Sequence, residues 1–255
     1  MTLHEKIRQN TVTIGSWLTI GHPSVAEIMA KAGFDWLTID MEHTPLNLSQ
    51  CQELIRVIDL CGVSPLVRVG ENNPLYIKQA MDAGAHGVIV PMVNSVEEAE
   101  RAVASVRYPP KGRRGVGLSR AQGYGADFER YREWVKSESV VVVQIEDARA
   151  LPWLGKIFSV DGVDTFLIGP YDLSGSLGSP GDFQSKEFRN AMELILKTAQ
   201  SSGIPAGIHV VSSDEKQVAS VIEQGYKFIA YGVDFLFLQE SCRRGNKFLK
   251  PFTGR

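Results

Sequence analysis

Cysteine is scarce in this chain. Cys51, Cys61 and Cys242 are odd in number and have no paired spacing, so neither a disulfide framework nor a zinc cluster is expected. Ordinary thiols in a reducing, cytoplasmic compartment are. Long apolar runs are lacking too. No stretch reaches the roughly 20 apolar residues that cross a bilayer, and Met1-Thr-Leu-His-Glu-Lys has no apolar core of the signal-peptide kind. Neither charge sign dominates. A net charge of −2 and a pI near 6.2 leave no broad basic face for nucleic acid or an anionic membrane. Ser/Pro linkers, charge blocks and low-complexity tracts are missing, so 1–255 is read as one domain. What remains is an ordinary globular profile, 44% hydrophobic and 22% charged.

Short apolar runs recur, each followed by a longer amphipathic stretch. The runs cover 11–19, 36–40, 65–69, 87–90, 140–145, 165–168, 205–210 and 227–231. Most are near-continuously apolar, as parallel strands covered on both faces are. Helical spacing fills 25–31, 48–61, 75–82, 96–106, 148–158, 187–202 and 215–223. Several of these stretches stop at a glycine, among them Gly84 and Gly203, which supplies a left-handed helix end. The alternation predicts an α/β fold, a single (β/α)8 TIM barrel, with an open doubly wound sheet as the competing architecture. Residues 107–139 are longer and irregular, and are expected to hold a loop over the barrel mouth and a helix over 127–136.

Active sites of α/β barrels lie at the C-terminal strand ends. Read at those positions, strand two ends in Asp40-Met-Glu42-His43, strand three near Arg68, and strand five in Gln144-Ile-Glu146. Strand six leads into Gly169-Pro-Tyr171-Asp172, and strand seven ends near His209. One such residue is ordinarily a helix cap. Five polar strand ends on one side are hard to explain that way.

Glu146 and Asp172 are hard oxygen donors suited to Mg²⁺ or Mn²⁺, with Co²⁺ also compatible. Gln144 shares a strand face with Glu146. Arg68 offers a planar fork to a carboxylate or enolate oxygen. Imidazole exchanges protons near neutral pH, so His43 is the candidate proton carrier, oriented by Asp40 or Glu42. The glycine-led turn at Gly169 opens a helix whose amides could hold a carboxylate. Trp17, near the end of strand one, reads equally as an apolar wall of the site or as core. No lysine falls at the C-terminal end of an expected strand. This disfavours a Schiff base and favours metal-assisted enolate chemistry.

At these residues the sequence resembles the HpcH/HpaI aldolases, metal-dependent pyruvate aldolases. The motifs are Gly15-Ser-Trp-Leu, Asp35-Trp-Leu-Thr-Ile-Asp-Met-Glu-His-Thr-Pro, Leu66-Val-Arg-Val, Val90-Pro-Met-Val, Arg107-Tyr-Pro-Pro-Lys-Gly-Arg-Arg-Gly-Val-Gly, Val143-Gln-Ile-Glu, and Asp161-Gly-Val-Asp followed by Ile168-Gly-Pro-Tyr-Asp-Leu-Ser. The resemblance implies a barrel of the phosphoenolpyruvate/pyruvate-binding type, usually hexameric, with the last helix exchanged between neighbours. It implies that Glu146 and Asp172 bind the metal, that Arg68 contacts pyruvate and its enolate, and that His43 transfers protons, paired with Asp40. Gln144 would line the site, and Gly169 with the Tyr171 backbone would hold the pyruvate carboxylate. The sequence departs from the pattern at Tyr171, where alanine is common, and after Leu173, where a His-Pro pair is missing. Residues 118–125 also differ, and Arg120 there is expected to meet an anionic group.

The expected function is cleavage of a 4-hydroxy-2-oxo acid, such as 4-hydroxy-2-oxoheptanedioate or a 2-dehydro-3-deoxy sugar acid, to pyruvate and an aldehyde. The alternatives are a coenzyme A thioester lyase or an oxaloacetate decarboxylase using the same enolate, and a non-catalytic barrel. The thioester reading needs a basic mouth, for which Lys111, Arg113 and Arg114 are the candidates.

Overall fold

Strands buried on both faces must be apolar on both, and the Val- and Ile-rich runs are the ones that pair. In the computed structural model, which describes residues 1–252, they form β1 (Thr13–Leu18), β2 (Trp36–Asp40), β3 (Ser64–Arg68), β4 (Gly87–Val90), β5 (Val140–Ile145), β6 (Thr165–Ile168), β7 (Gly207–Val210) and β8 (Phe228–Val233). Neighbours in sequence pair in parallel and β8 closes on β1, giving a (β/α)8 TIM barrel. Residues 253–255 of the expected domain lie outside the described residues.

The helices are α1 (Leu3–Arg8), α2 (Pro23–Ala30), α3 (Leu48–Leu60), α4 (Pro74–Ala83), α5 (Val96–Val106), α6 (Phe128–Ser137), α7 (Leu154–Phe158), α8 (Pro170–Ser176), α9 (Lys186–Ser202), α10 (Glu215–Glu223) and α11 (Asp234–Leu249). Gly84 and Gly203 end α4 and α9 at φ 103° and 71°. The expected helix over 148–158 divides. Its first half, Ala148–Trp153, is a 3-10 segment that contains Pro152, which has no amide to donate; α7 follows it. No strand or helix pattern foretold α1, whose Leu3 and Ile7 pack into the barrel interior beneath Trp36 and Phe228.

Two apolar layers result from the strand period of two. Residues of one parity face outward to the helices, as Leu37, Ile39, Val67, Val141, Val143 and Ile168 do. The other parity faces inward. Trp36 stacks on Phe228 with ring centroids 4.3 Å apart, and Leu66, Ile89, Val142 and Leu167 fill the space around them. Gly15 is required there, because a methyl group at its Cα would run into the Trp36 indole.

The irregular segment after α5 is not at the mouth. Arg114 reaches Asp82 (2.5 Å), Arg120 reaches Asp59 (2.9 Å) and the Ala83 carbonyl (3.2 Å), and the Tyr131 hydroxyl donates to the Met81 carbonyl (3.0 Å). These partners lie at the C-terminal ends of α3 and α4, which lead into strand starts, so the segment covers the N-terminal end of the barrel. Helix ends hold it there by offering acidic side chains and unpaired carbonyls. Arg120 therefore meets its anion within this chain. Lys111 pairs with Asp161, which precedes β6 at the same end (3.7 Å), and Arg114 is buried. The basic mouth required by the thioester alternative is thus not built from Lys111 and Arg114. His86, pairing with Asp59 (3.3 Å), is structural at that far end.

Candidate active site

Every polar residue expected at the mouth sits on the inward parity of its strand or in the turn that follows. Asp40 and Arg68 are register partners on β2 and β3. Arg68 Nε and Nη2 donate to the two oxygens of Asp40 at 2.9 and 2.7 Å, a bidentate fork. Nη1 lies 3.2 Å from Glu42 Oε2. Burial opposes charge on Asp40, but Arg68 and the backbone amides of Glu42 and His43 outweigh it and hold the carboxyl below its ordinary value. Burial likewise opposes charge on Arg68, and Asp40, Glu42 and Glu146 override it, so the guanidinium stays charged. Glu42 is raised, by burial first and then by the charges of Asp40 and Asp172, with Arg68 opposing.

The expected side-chain pairing of His43 with Asp40 is corrected by these contacts. Asp40 spends its carboxylate on Arg68 and on the His43 backbone N–H (3.3 Å). The exposed His43 ring lies 3.8 Å from Glu42 instead. A β-strand end explains the exchange: Asp40 still points inward, while His43 has entered the turn and points outward over Glu42.

Glu146 follows β5 and is buried, 3% exposed. Its Oε1 accepts from the Met92 amide (2.8 Å), and its Oε2 from the Gln144 side-chain amide. Met92 presents that amide from a left-handed backbone at φ 55°. Burial pushes the Glu146 carboxyl up to about 7, with Glu42 and Asp172 adding to the rise and the Met92 and Gln144 hydrogen bonds opposing it. Gln144 Oε1 is buried with no partner. Across the rim, β6 ends at Gly169, whose bare Cα is needed: a Cβ there would stand 2.7 Å from Glu146 Oε2. Gly169 caps α8 without a side-chain hydrogen bond, so the first-turn amides are left open, and Asp172 sits in that first turn. Tyr171 is exposed, and its ring finds room edge-on against Phe183 at 5.0 Å.

Trp17 closes the floor. Its ring carries the Arg68 guanidinium at 4.4 Å and touches the His209 ring at 5.3 Å. Trp17, Arg68, Gln144, Gly169, Tyr171 and Asp172 line one cavity of about 60 Å³, and His209 lines it too. No lysine is among the residues lining it. His209 stands at the end of its strand in the sequence, but no motif there gives it a role. The available signal was parity: it stands two residues after inward-facing Gly207 and two strands from Trp17. The role of the Met92 amide had no sequence signal, since a backbone N–H has no residue type.

The donor set fits a divalent cation. Glu146 is a buried carboxylate whose field adds to those of Glu42 and Asp172, and the cation nearby, Arg68, is already committed to Asp40 and Glu42. Among the described residues no three His, Cys, Asp or Glu side chains gather to enclose an ion. Two carboxylates alone would leave most positions of a cation such as Mg²⁺ to water and substrate.

The family model for HpcH/HpaI aldolase/citrate lyase matches residues 13–240. Over 250 residues the chain is 34% identical to a 2-dehydro-3,6-dideoxy-6-sulfogluconate aldolase of Pseudomonas putida, covering 98% of this chain and 96% of that protein. It is 38% identical to a hydroxypyruvate/pyruvate aldolase of Sagittula stellata, covering 92% of each. Among solved structures, an HpcH/HpaI aldolase/citrate lyase family protein of Burkholderia cenocepacia superimposes with a TM-score of 0.92 at 32% identity, covering 97% of this chain and 98% of that one.

Proposed function

Because this chain belongs to the HpcH/HpaI aldolase/citrate lyase family and is a lyase, we propose that it cleaves a 4-hydroxy-2-oxo acid to pyruvate and an aldehyde by way of the pyruvate enolate, with Mg²⁺ or Mn²⁺ held by Glu146 and Asp172. One observation carries the reading. Glu146 is buried at the rim, raised to about 7, and within the field of Glu42 and Asp172, a carboxylate set that invites a cation.

When bound, the cation supplies Lewis-acid polarisation of the keto group. The chain's own residues do the rest. The open amides of Tyr171 and Asp172 at the start of α8 receive the substrate carboxylate, since Gly169 leaves them without a side-chain cap. Arg68, fixed by Asp40 and Glu42, presents positive charge toward the keto oxygen as it gains negative charge. Gln144 lines the same space, with its Oε1 buried and without a partner. Trp17 keeps water from beneath the guanidinium. His43, exposed beside Glu42, takes the proton of the 4-hydroxyl. The C3–C4 bond then breaks, its electron pair remains on the keto-acid half as the enolate, and the aldehyde leaves. The proton held by His43 then returns, directly or through water, to C3 and gives pyruvate.

The proposal includes a cytoplasmic homo-oligomer, hexameric in the family pattern, acting as one catalytic domain. Supporting it, α11 carries exposed Phe235, Leu238, Phe248 and Leu249. No helix among the described residues is long and apolar enough to cross a membrane.

The test is release of pyruvate from 4-hydroxy-2-oxo acids by the purified chain. Chelation is expected to abolish it and Mn²⁺ or Mg²⁺ to restore it. Activity that survives chelation yet is lost on borohydride reduction with substrate would overturn the metal route in favour of an imine.

A further inference from the structure

We propose that His209 is a specificity-determining residue whose Nδ1 accepts a hydrogen bond from a hydroxyl on C3 of the keto-acid half, so that this site takes hydroxypyruvate in preference to pyruvate. The inference rests on the aldolase reading above and assigns a group that reading leaves unused.

Position comes first. His209 lies on β7, turned inward, half-buried, with its ring against Trp17 at 5.3 Å. Trp17 in turn underlies Arg68 at 4.4 Å. His209 is therefore at the keto-acid end of the cavity that it shares with Arg68, Gln144 and Gly169. That space, about 60 Å³, is on the scale of the three-carbon half of the substrate.

Chemistry follows from the ring's partners. His209 Nε2 lies 3.3 Å from the Gly232 carbonyl, which can only accept. Nε2 thus carries the proton, and Nδ1 keeps its lone pair. Among the described residues no donor meets Nδ1: Arg68 Nε and Nη2 donate to Asp40, and Nη1 faces Glu42 in an ion pair. Burial and the Arg68 charge lower the imidazole to about 4, with the Gly232 carbonyl and Asp40 opposing, so the ring is neutral at working pH. A neutral acceptor suits a hydroxyl and offers nothing to a carboxylate or phosphate. The methyl group of pyruvate would leave Nδ1 unpaired, whereas hydroxypyruvate places a donor on the same carbon.

The experiment compares the two keto acids as donors for addition to glycolaldehyde, with Mn²⁺ present, in wild type, His209→Leu, His209→Asn and His209→Gln. Binding of each donor without aldehyde is measured by calorimetry. The ratio of kcat/KM for hydroxypyruvate over pyruvate, and the matching ratio of affinities, is expected to fall about tenfold in His209→Leu. His209→Asn, whose amide oxygen stands near the place of Nδ1, is expected to restore most of it; His209→Gln, reaching toward Gly232, is not. Should the Leu variant fail to fold, the Asn and Gln pair decides. Equal ratios in all proteins that fold overturn the assignment. His209-dependent donor binding without carbon–carbon bond formation removes the aldolase reading and leaves this one. Turnover with an unmoved ratio removes this one alone, and failure to bind either donor removes both.

Discussion

Glu146 carries the sharpest consequence at the scale of a single residue. Its carboxyl is raised by burial from an ordinary 4.5 to about 7. A raised folded value means that the folded chain holds the proton where the unfolded chain has lost it. The stabilisation is full below about 4.5 and is lost as pH rises through about 7. Above that, the cation-free chain carries a buried anion at a penalty on the order of 3 kcal/mol. A divalent cation binds only the ionised form, so it should restore stability where the proton is lost. We therefore expect the thermal midpoint of the cation-free protein to fall between pH 6 and pH 8, and Mn²⁺ to raise it most at pH 8. Glu146→Gln should flatten the pH dependence and abolish the Mn²⁺ shift. A Gln variant that Mn²⁺ still stabilises fully would remove Glu146 from the ligand set.

Between elements, the tightest joint of the site is the turn from β6 into α8. Gly169 brings backbone so close to β5 that an added Cβ would stand 2.7 Å from Glu146 Oε2 and 3.0 Å from Glu146 Cβ. Glycine is used here for close approach, since its φ of −93° is open to any residue. Gly169→Ala should displace the Glu146 carboxylate, destabilising the fold by about 1–3 kcal/mol. It should also weaken Mn²⁺ binding by about 10–100-fold, the usual effect of disturbing a ligand's surroundings. Calorimetric titration of Mn²⁺ into the variant checks this, and wild-type affinity would reject the joint. On the β4 side, the amide of left-handed Met92 braces the other oxygen of Glu146. The carboxylate is thus positioned from two neighbouring loops.

For the whole molecule, α11 is tied to the barrel through its N-terminal half, where Phe237 packs on Phe34 and Tyr231 and Glu240 accepts from the Ser213 hydroxyl. Asp234 accepts from the Thr19 and Ile20 amides and from the Thr19 hydroxyl, tying the helix start to the end of β1. Beyond that start it exposes Leu238, Phe248 and Leu249. Apolar side chains in that number on one helix need a cover. Sedimentation is expected to show an assembly, and Leu238→Glu with Phe248→Glu to reduce its mass while leaving the barrel folded by circular dichroism. A wild-type monomer at micromolar concentration would overturn the proposed assembly.

Much of this was legible from residue order. Continuous Val and Ile runs at regular intervals fix parallel strands, and strands in sequence order with helices between them fix a barrel, because both facts are local. Strand ends carrying Asp40, Arg68, Gln144 and Glu146 follow from the same period of two. Only the tertiary structure could decide the rest. Whether His43 faces Asp40 or Glu42 depends on where the strand stops and the turn begins. Whether residues 107–127 cover the mouth or the opposite end depends on Asp59, Asp82 and the Ala83 carbonyl, which lie far away in sequence. His209 acquires meaning only when closure of the barrel sets it against Trp17. Periodicity is written residue by residue, but a partner across the barrel exists only once the chain has closed.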